Sequence, residues 1–253
     1  MNVLKPNMQD LAIVQWKQFL QQMGHSNFPI DDQYDVSMEL AIKAYQEQKK
    51  IVVDGHIGNA TWLAAYQDGM LFTEEQRRAF PLPPNFRPYT SNKERFETFG
   101  MLEFTVSPVP NNPENIVILN DYETQHIVSV VIPQLQAAFP KQHSMRFHRK
   151  GVAQLLQFFE AIEQGGFLEQ LLSYGGSYHP RLVRGSKTRL SNHAFGTAFD
   201  INMTWNQFHQ EPALLGAQGS VREIVPLAHT FGFYWGGHFK NPDGMHFELV
   251  KIM

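Results

Sequence analysis

Apolar residues in the first 70 positions recur at helical spacing, and short polar segments separate them. The first group ends at Gly24, the second follows the acidic segment at 31–35, and residues 57–62 open a third, short helix after a Val53-Asp54-Gly55 turn. The apolar positions that define the first two helices are Leu11, Val14, Phe19, Leu20 and Met23, then Leu40, Ile42, Ala44 and Tyr45. The pattern predicts a small three-helix domain over residues 1–70.

The next segment, 71–114, has little periodicity and many prolines. Proline removes a backbone donor and interrupts helices, so the segment is predicted to be a linker and an irregular lead-in to a second domain. Its aromatic residues favour burial, which indicates that it wraps the second domain. The prolines from position 81 onward are Pro81, Pro83, Pro84, Pro88, Pro108, Pro110 and Pro113.

Residues 115–253 combine segments with helical periodicity and segments with the alternating pattern of strands. Residues 116–119 are predicted to form a strand, and 121–139 a helix despite Pro133. An amphipathic pattern from Val152 to Ile162 predicts a helix that ends near Gly165. Short strand-like segments follow at 198–202, 232–236 and 245–250. The fold class is therefore predicted to be α+β: a small N-terminal three-helix domain followed by an α+β domain with a small antiparallel sheet.

Composition narrows the possible functions. The chain has 253 residues, is 43% hydrophobic and carries a formal net charge of -3. That charge argues against a nucleic-acid binder, which usually has a basic face. Cysteine is absent, so any metal site must use His, Asp and Glu.

The sequence also predicts no association with a membrane. The N-terminus lacks a basic segment followed by an apolar run of signal-peptide length, and the longest apolar stretch, 127–132, is too short to span a bilayer. We expect synthesis in the cytoplasm without a classical signal peptide, and a monomeric protein.

Two segments near the C-terminus carry the chemistry. His193 and Asp200 flank a glycine that lets the chain bend, and His246 lies in an alternating segment that would direct it and Glu248 into a cleft. Two imidazoles and one carboxylate suit zinc and leave a fourth position open for water. A buried histidine is more often a core residue than a ligand, so the spacing alone leaves both interpretations open.

The first segment, SNHAFGTAFD, resembles a signature of the zinc D-alanyl-D-alanine carboxypeptidases and L-alanyl-D-glutamate endopeptidases. The matching residues are Ser191, His193, Gly196, Ala198 and Asp200. The resemblance extends from about residue 146 to 249, and it includes SYHPRLVRGS before this motif and FYWGGHF before the next.

The second segment, DGMHFEL, resembles the same family's second motif, in which an acid precedes the last zinc-binding histidine by three residues. The resemblance implies that His193, Asp200 and His246 bind Zn²⁺ and that Asp243 is the catalytic acid. Many relatives have Glu at that position, and Asp is shorter. The implied domain at 115–253 is a zinc peptidase domain.

The implied mechanism requires a cation for the substrate. Asp243 would take a proton from water and pass it to the leaving amine. A guanidinium would bind the substrate carboxylate or the oxyanion, and Arg181 is the preferred candidate over Arg184. Ser191 is expected either to hydrogen-bond within the site or to be a turn residue, and Trp235 either to line the cleft or to lie in the core.

Residues 8–66 resemble the helical peptidoglycan-binding domain found beside many wall hydrolases. The matching pieces are Ala41, Tyr45 and Gln46, then Val53-Asp54-Gly55, Ile57-Gly58 and Thr61-Trp62. The resemblance implies peptidoglycan as the partner; the alternative is a helical packing domain without a ligand.

The two resemblances together predict a zinc-dependent peptidase that cuts L-Ala-D-Glu or D-Ala-D-Ala bonds of wall peptides, in the periplasm or outside the cell. A phage-type lysin and an injected antibacterial effector both fit, with an immunity or delivery protein as a possible partner. The alternatives are a non-catalytic wall-binding protein with a structural zinc site, and a zinc amidase. The acid at Asp243 favours an enzyme, since a closed structural site needs none.

Overall fold

The computed structural model describes residues 1–25 and 28–253, and the chain divides into two compact units, Met1–Leu82 and Pro83–Met253. The segment at 71–114, predicted as a linker, is split between them. It contains one helix of the first unit, and one helix and the first strand of the second. Within the described parts of the chain, no helix is both long and apolar enough to cross a membrane.

The first unit is helical, as the periodicity predicts. Its helices are α1 (Leu11–Gln22), α2 (Val36–Gln48), α3 (Asn59–Gln67) and the short α4 (Glu74–Ala79). The core is aromatic: the Trp16 ring lies 5.0 Å from that of Trp62 and 6.1 Å from that of Tyr45, measured between centroids, in edge-on arrangements. Aromatic pairs of this geometry add to the stabilisation from burial alone.

The turn before α3 is held by one buried side chain. The Gln46 amide nitrogen donates to the carboxylate of Asp54, the carbonyl of His56 and the hydroxyl of Thr61, at 2.8–3.2 Å. Its amide oxygen accepts from the backbone nitrogens of Asp54 and Gly55. Gly55 has φ 71°, a conformation that favours glycine. The Asp-Gly sequence thus specifies a turn that Gln46 closes from within.

The second unit contains five helices and eight strands among its described elements. The helices are α5 (Asn92–Phe99), α6 (Tyr122–His126), α7 (Pro133–Ala138), α8 (Val152–Gln164) and α9 (Val225–Thr230). The strands are β1 (Phe104–Val106), β2 (Ile116–Ile118), β3 (Ile127–Val131), β4 (Ser144–His148), β5 (Tyr174–Gly176), β6 (Ala198–Ile201), β7 (Phe233–Trp235) and β8 (His246–Leu249). The predicted α+β class is confirmed.

All strand pairs in this unit are antiparallel. β1 pairs with β2, β3 pairs with β4, and the other four strands form a sheet in the order β5-β6-β8-β7. Helix α8 covers one face of this sheet. The Phe158 ring lies 6.1 Å from Phe199 on β6, 5.5 Å from Phe233 on β7 and 6.1 Å from Phe247 on β8, between centroids. Side chains at the alternate positions of β6 and β8 therefore lie on the other face.

One predicted element is wrong. Residues 121–139 were expected to be a single helix, but the helix α6 ends at His126, and 127–131 form β3 in register with β4. The segment Ile127-Val128-Ser129-Val130-Val131 is rich in β-branched residues, which favour a strand when a partner is available. The partner strand lies at 144–148, so the pattern within residues 121–139 does not reveal the pairing.

Candidate metal centre

His193 is positioned by a tight turn. It lies in a 3₁₀ turn, Asn192–Phe195, that begins after Ser191, and the Ser191 hydroxyl accepts a hydrogen bond from the His193 backbone nitrogen at 3.3 Å. The turn ends at Gly196, with φ 65°. This left-handed backbone conformation favours glycine, and a Cβ atom there would also lie 3.2 Å from the His148 backbone nitrogen, a tight contact. Ser191 is thus a turn residue that holds the site.

Asp200 and His246 face each other across the sheet. They are directly opposite in the register of β6 and β8. Opposite residues of an antiparallel pair project from the same face of a sheet. Asp200 and His246 therefore project from one face, and their neighbours Phe199 and Phe247 project from the other. The pairing of two strands that are 46 residues apart in the chain therefore brings a carboxylate and an imidazole together.

The structure brings the three sequence-predicted ligands to one point. His193 Nε2 lies 3.1 Å from His246 Nδ1 and 3.3 Å from Asp200 Oδ1, and the latter two atoms are 3.1 Å apart. Ligands about 2.0–2.2 Å from a tetrahedral zinc ion lie roughly 3.3–3.5 Å from each other. The spacing fits a single small cation equidistant from the three atoms.

In each histidine ring, one nitrogen faces the cluster and the other, here called the outer nitrogen, faces away from it. The hydrogen bond of the outer nitrogen determines which nitrogen is free to bind a metal ion. His193 Nδ1 lies 2.5 Å from the Ser177 carbonyl oxygen, and His246 Nε2 lies 3.1 Å from Glu248 Oε2. Both of these oxygens only accept, so each outer nitrogen carries a hydrogen, and a ring in its neutral form turns a lone pair inward. With both rings neutral, two lone pairs and the Asp200 carboxylate converge on one point, an arrangement that either a metal ion or a proton on His246 Nδ1 stabilises.

The charges at this point agree with that conclusion. Burial would raise the pKa of Asp200, but the facing rings of His193 and His246 hold it well below its ordinary range. Burial would likewise lower the pKa of His246, but Asp200 and Glu248 hold it above its ordinary value. The carboxylate therefore stays ionised, and the site favours positive charge.

Asp243 lies beside these residues in a tight turn. Its backbone nitrogen donates to Gly236 at 2.9 Å, and its carbonyl accepts from the His246 nitrogen at 3.0 Å. A Cβ atom at Gly236 would lie 2.4 Å from the Asp243 carbonyl oxygen, so only glycine allows this approach. Asp243 Oδ1 is buried and has no hydrogen-bond partner among the described residues. Burial raises the pKa of this carboxyl above its ordinary value, outweighing the charge of His246.

A cleft of about 430 Å³ opens over His246 and Asp243. Arg181 and Arg184 both line it; Arg181 is half-buried, whereas Arg184 is exposed. Burial lowers the pKa of Arg181, and the charges of Asp200 and Asp243 oppose that shift. The other basic residues in the lining are Arg95, Arg189 and Lys240. The cleft is therefore suited to an anionic ligand.

Residues 184–249 match the family model of D-alanyl-D-alanine carboxypeptidases, and residues 9–64 match that of the peptidoglycan-binding domain. These are the two families that the sequence resembles. The peptidase match covers His193, Asp200, Asp243 and His246 and begins after Arg181. No curated protein matches the chain. The two matches support a peptidase that acts on peptidoglycan, and the second associates the chain with the cell wall.

Two further residues of this peptidase-like unit are placed by the structure. Trp235 is buried, and its indole nitrogen donates to the Gly244 carbonyl at 2.7 Å, so it supports the turn between Asp243 and His246 and does not line the cleft. Glu248 lines the cleft and contacts His246, as expected of a residue that orients a ligand.

Sequence reasoning missed two residues behind this peptidase-like site. Asn192 is part of the SNH motif but was given no role, and Arg95 lies in the segment described as a lead-in. The signal for Arg95 was the sequence Ser91-x-x-Glu94, which forms a capping box at the start of α5 and indicates an ordered helix. No local pattern connects that helix to His246.

Proposed function

We propose that this protein is a zinc-dependent peptidase that hydrolyses peptide bonds in the stem peptides of bacterial peptidoglycan. The observation that carries the proposal is the convergence of His193 Nε2, Asp200 Oδ1 and His246 Nδ1 beside the unpartnered carboxylate oxygen of Asp243. Two imidazoles and one carboxylate are a ligand set of catalytic zinc, because they leave a coordination position open.

Each residue has a distinct part in the reaction. His193, Asp200 and His246 would hold a zinc ion, which would supply Lewis-acid chemistry by lowering the pKa of water toward ~7. Asp243 takes the proton of the attacking water on Oδ1 and delivers it to the leaving amine. The raised pKa of Asp243 suits a group that must both accept and release a proton. Arg181 binds the carbonyl oxygen as it gains negative charge, or a substrate carboxylate.

The first unit supplies affinity for the polymer. It has no chemical role in this proposal, and its match to the peptidoglycan-binding domain supports binding to the same substrate that the second unit cuts. The L-Ala-D-Glu and D-Ala-D-Ala bonds are the two candidate bonds. A phage-type lysin or an injected antibacterial effector, acting as a monomer in the periplasm or outside the cell, accounts for this combination of domains.

Digestion of purified peptidoglycan followed by mass spectrometry of the released fragments tests the proposal. The wild-type chain should release fragments with a new amino terminus at one stem-peptide bond, and their masses identify it. The same digestion with a zinc chelator should release none, and added zinc should restore release. Intact wall after incubation with zinc-loaded protein would leave a wall-binding protein with a structural zinc site. Fragments cut between sugar and peptide would instead identify an amidase.

A further inference from the structure

A chain of hydrogen bonds reaches His246 from helix α5, outside the residues that match the peptidase family. It begins at Arg95, which is only 4% exposed. The Arg95 guanidinium donates to the carbonyls of Ser91 and Tyr89 at 2.9 Å each, and its Nε donates to Asn192 Oδ1 at 2.5 Å. The guanidinium is thus fixed to its own helix start and directed toward the site.

The direction of every bond in this chain follows from Arg95. A guanidinium can only donate, so Asn192 must offer it the amide oxygen and turn its NH₂ the other way. That NH₂ donates to Glu248 Oε2, and the same oxygen accepts from His246 Nε2 at 3.1 Å. Because Glu248 accepts both bonds, His246 keeps a hydrogen on Nε2, and its neutral ring has the lone pair on Nδ1, the atom that faces His193 and Asp200.

Charge gives Arg95 a second effect on the same residues. Glu248 is 4% exposed, and a carboxylate at that depth is costly unless a positive charge or several donors stabilise it. Burial lowers the pKa of Arg95, and the negative charge of Glu248 is the largest opposing influence. The guanidinium and the carboxylate therefore stabilise each other through Asn192.

We propose that Arg95 is a positioning residue that, through Asn192 and Glu248, fixes the orientation and tautomer of the metal ligand His246. The inference rests on the proposed function. It makes the segment that precedes the family match part of the catalytic unit: Pro88, Tyr89, Thr90 and Arg95 all line the cleft, and Arg95 also aligns a metal ligand.

The test uses the full chain with Arg95→Met, Arg95→Lys and the matched control Lys93→Met, which alters an exposed residue of the same helix. Long-range ¹H–¹⁵N NMR of metal-free protein, recorded at a pH where the His246 ring is neutral, reports which of its nitrogens carries the hydrogen. Chelator competition measures zinc affinity. In wild type and Lys93→Met the neutral ring should carry the hydrogen on Nε2. Arg95→Met should give a mixture of tautomers and zinc binding weaker by about 10–100-fold, the usual effect of losing such a partner. Arg95→Lys should lie between, because it keeps the charge but not the three-way geometry.

Turnover should fall in kcat because the metal ligand loses its orientation, and KM reports separately on the part of the cleft surface that Arg95 lines. Should Arg95→Met fail to fold, Asn192→Ala replaces it, because it cuts the chain and leaves the Arg95 bonds to Ser91 and Tyr89 intact. Either folded variant with the wild-type His246 tautomer and zinc affinity overturns the inference, whatever its activity. Failure of wild-type protein to release wall fragments overturns the proposed function instead, and the tautomer measurement stands apart from it.

Discussion

The two units differ in which of their buried polar side chains lack a partner. In the first unit, Gln46 makes five hydrogen bonds, and the Lys17 ammonium lies 2.8 and 2.9 Å from the carboxylates of Asp31 and Asp35. The unpartnered group there, among the described residues, is the Trp16 indole nitrogen in the aromatic core. In the second unit, the unpartnered groups of the described residues include two carboxylate oxygens at the metal centre, Asp243 Oδ1 and Glu248 Oε1. Satisfied buried groups stabilise a fold, whereas unsatisfied ones beside three converging acceptors mark a place for a ligand.

The largest expected effect is the loss of metal binding and hydrolysis in the second unit, without loss of its fold. His193→Ala removes one of three ligands, so we expect the chain to lose bound zinc and all measurable wall hydrolysis. Elemental analysis and fragment release on one preparation check this. His209→Ala, a change of another cleft-lining histidine, is the control. Full zinc content in His193→Ala would remove His193 from the ligand set.

Asp243→Asn should separate chemistry from metal binding. Asparagine has nearly the same size but cannot accept a proton, so turnover should fall by ~10²–10⁴-fold. Zinc content and the melting temperature should stay near those of wild type. If Asp243 instead only stabilises its turn, the melting temperature falls and activity per folded molecule persists. Wild-type turnover by the folded, zinc-loaded variant would make Glu248 the next acid to test.

Gln46→Leu should instead reduce the stability of the first unit and leave catalysis unchanged. The substitution leaves the Asp54 and Gly55 nitrogens without their acceptor, and each unsatisfied buried group costs about 1–3 kcal/mol. Denaturant unfolding should show a loss of that order, while hydrolysis of soluble wall fragments stays unchanged. Gln48→Leu, at an exposed position of the same helix, is the control. Equal stability of the two variants would mean that the turn does not depend on Gln46.

The smallest effect is the pH dependence of the first unit. Burial would raise the pKa of Asp35, but bonds from Ser37, the Met38 nitrogen and Lys17 lower it from 3.8 to about 2. A carboxyl with a depressed folded-state pKa stabilises the fold above its unfolded pKa, and this contribution is lost as pH falls from about 4 toward 2. Asp35→Asn should flatten the stability profile of the first unit in that window. An unchanged slope would show that the contacts of Lys17 with Asp35 do not couple protonation of this carboxylate to the stability of the fold.

The sequence predicts elements well where the pattern is local. The first three helices of the first unit and the strand that carries His246 follow from periodicity, whereas α4 lies in the segment predicted as a linker; the glycine at 196 follows from the bend between two ligands. The strand at 127–131 was missed because its partner, not its composition, decides between helix and strand. Short apolar runs are ambiguous in this way.

The residues of the candidate site also fall into two groups: those that lie in recognisable sequence motifs and those that only tertiary contacts place at the site. His193, Asp200, Asp243 and His246 lie within two short motifs, and the resemblance of those motifs to the peptidase family selects them where spacing alone leaves the choice open. The register that sets Asp200 opposite His246, and the bond from Arg95 to Asn192 across 97 positions, are tertiary facts. Arg95 therefore appeared only as one charged residue of a helix in a proline-rich segment.

Zinc anomalous diffraction from crystals grown with the metal locates the ion itself. We expect one strong peak in the second unit, about 2.0–2.2 Å from each of His193 Nε2, Asp200 Oδ1 and His246 Nδ1, with Asp243 beside its open coordination position. A peak bound elsewhere, or no peak within reach of these three atoms in crystals soaked with zinc, would contradict this ligand set.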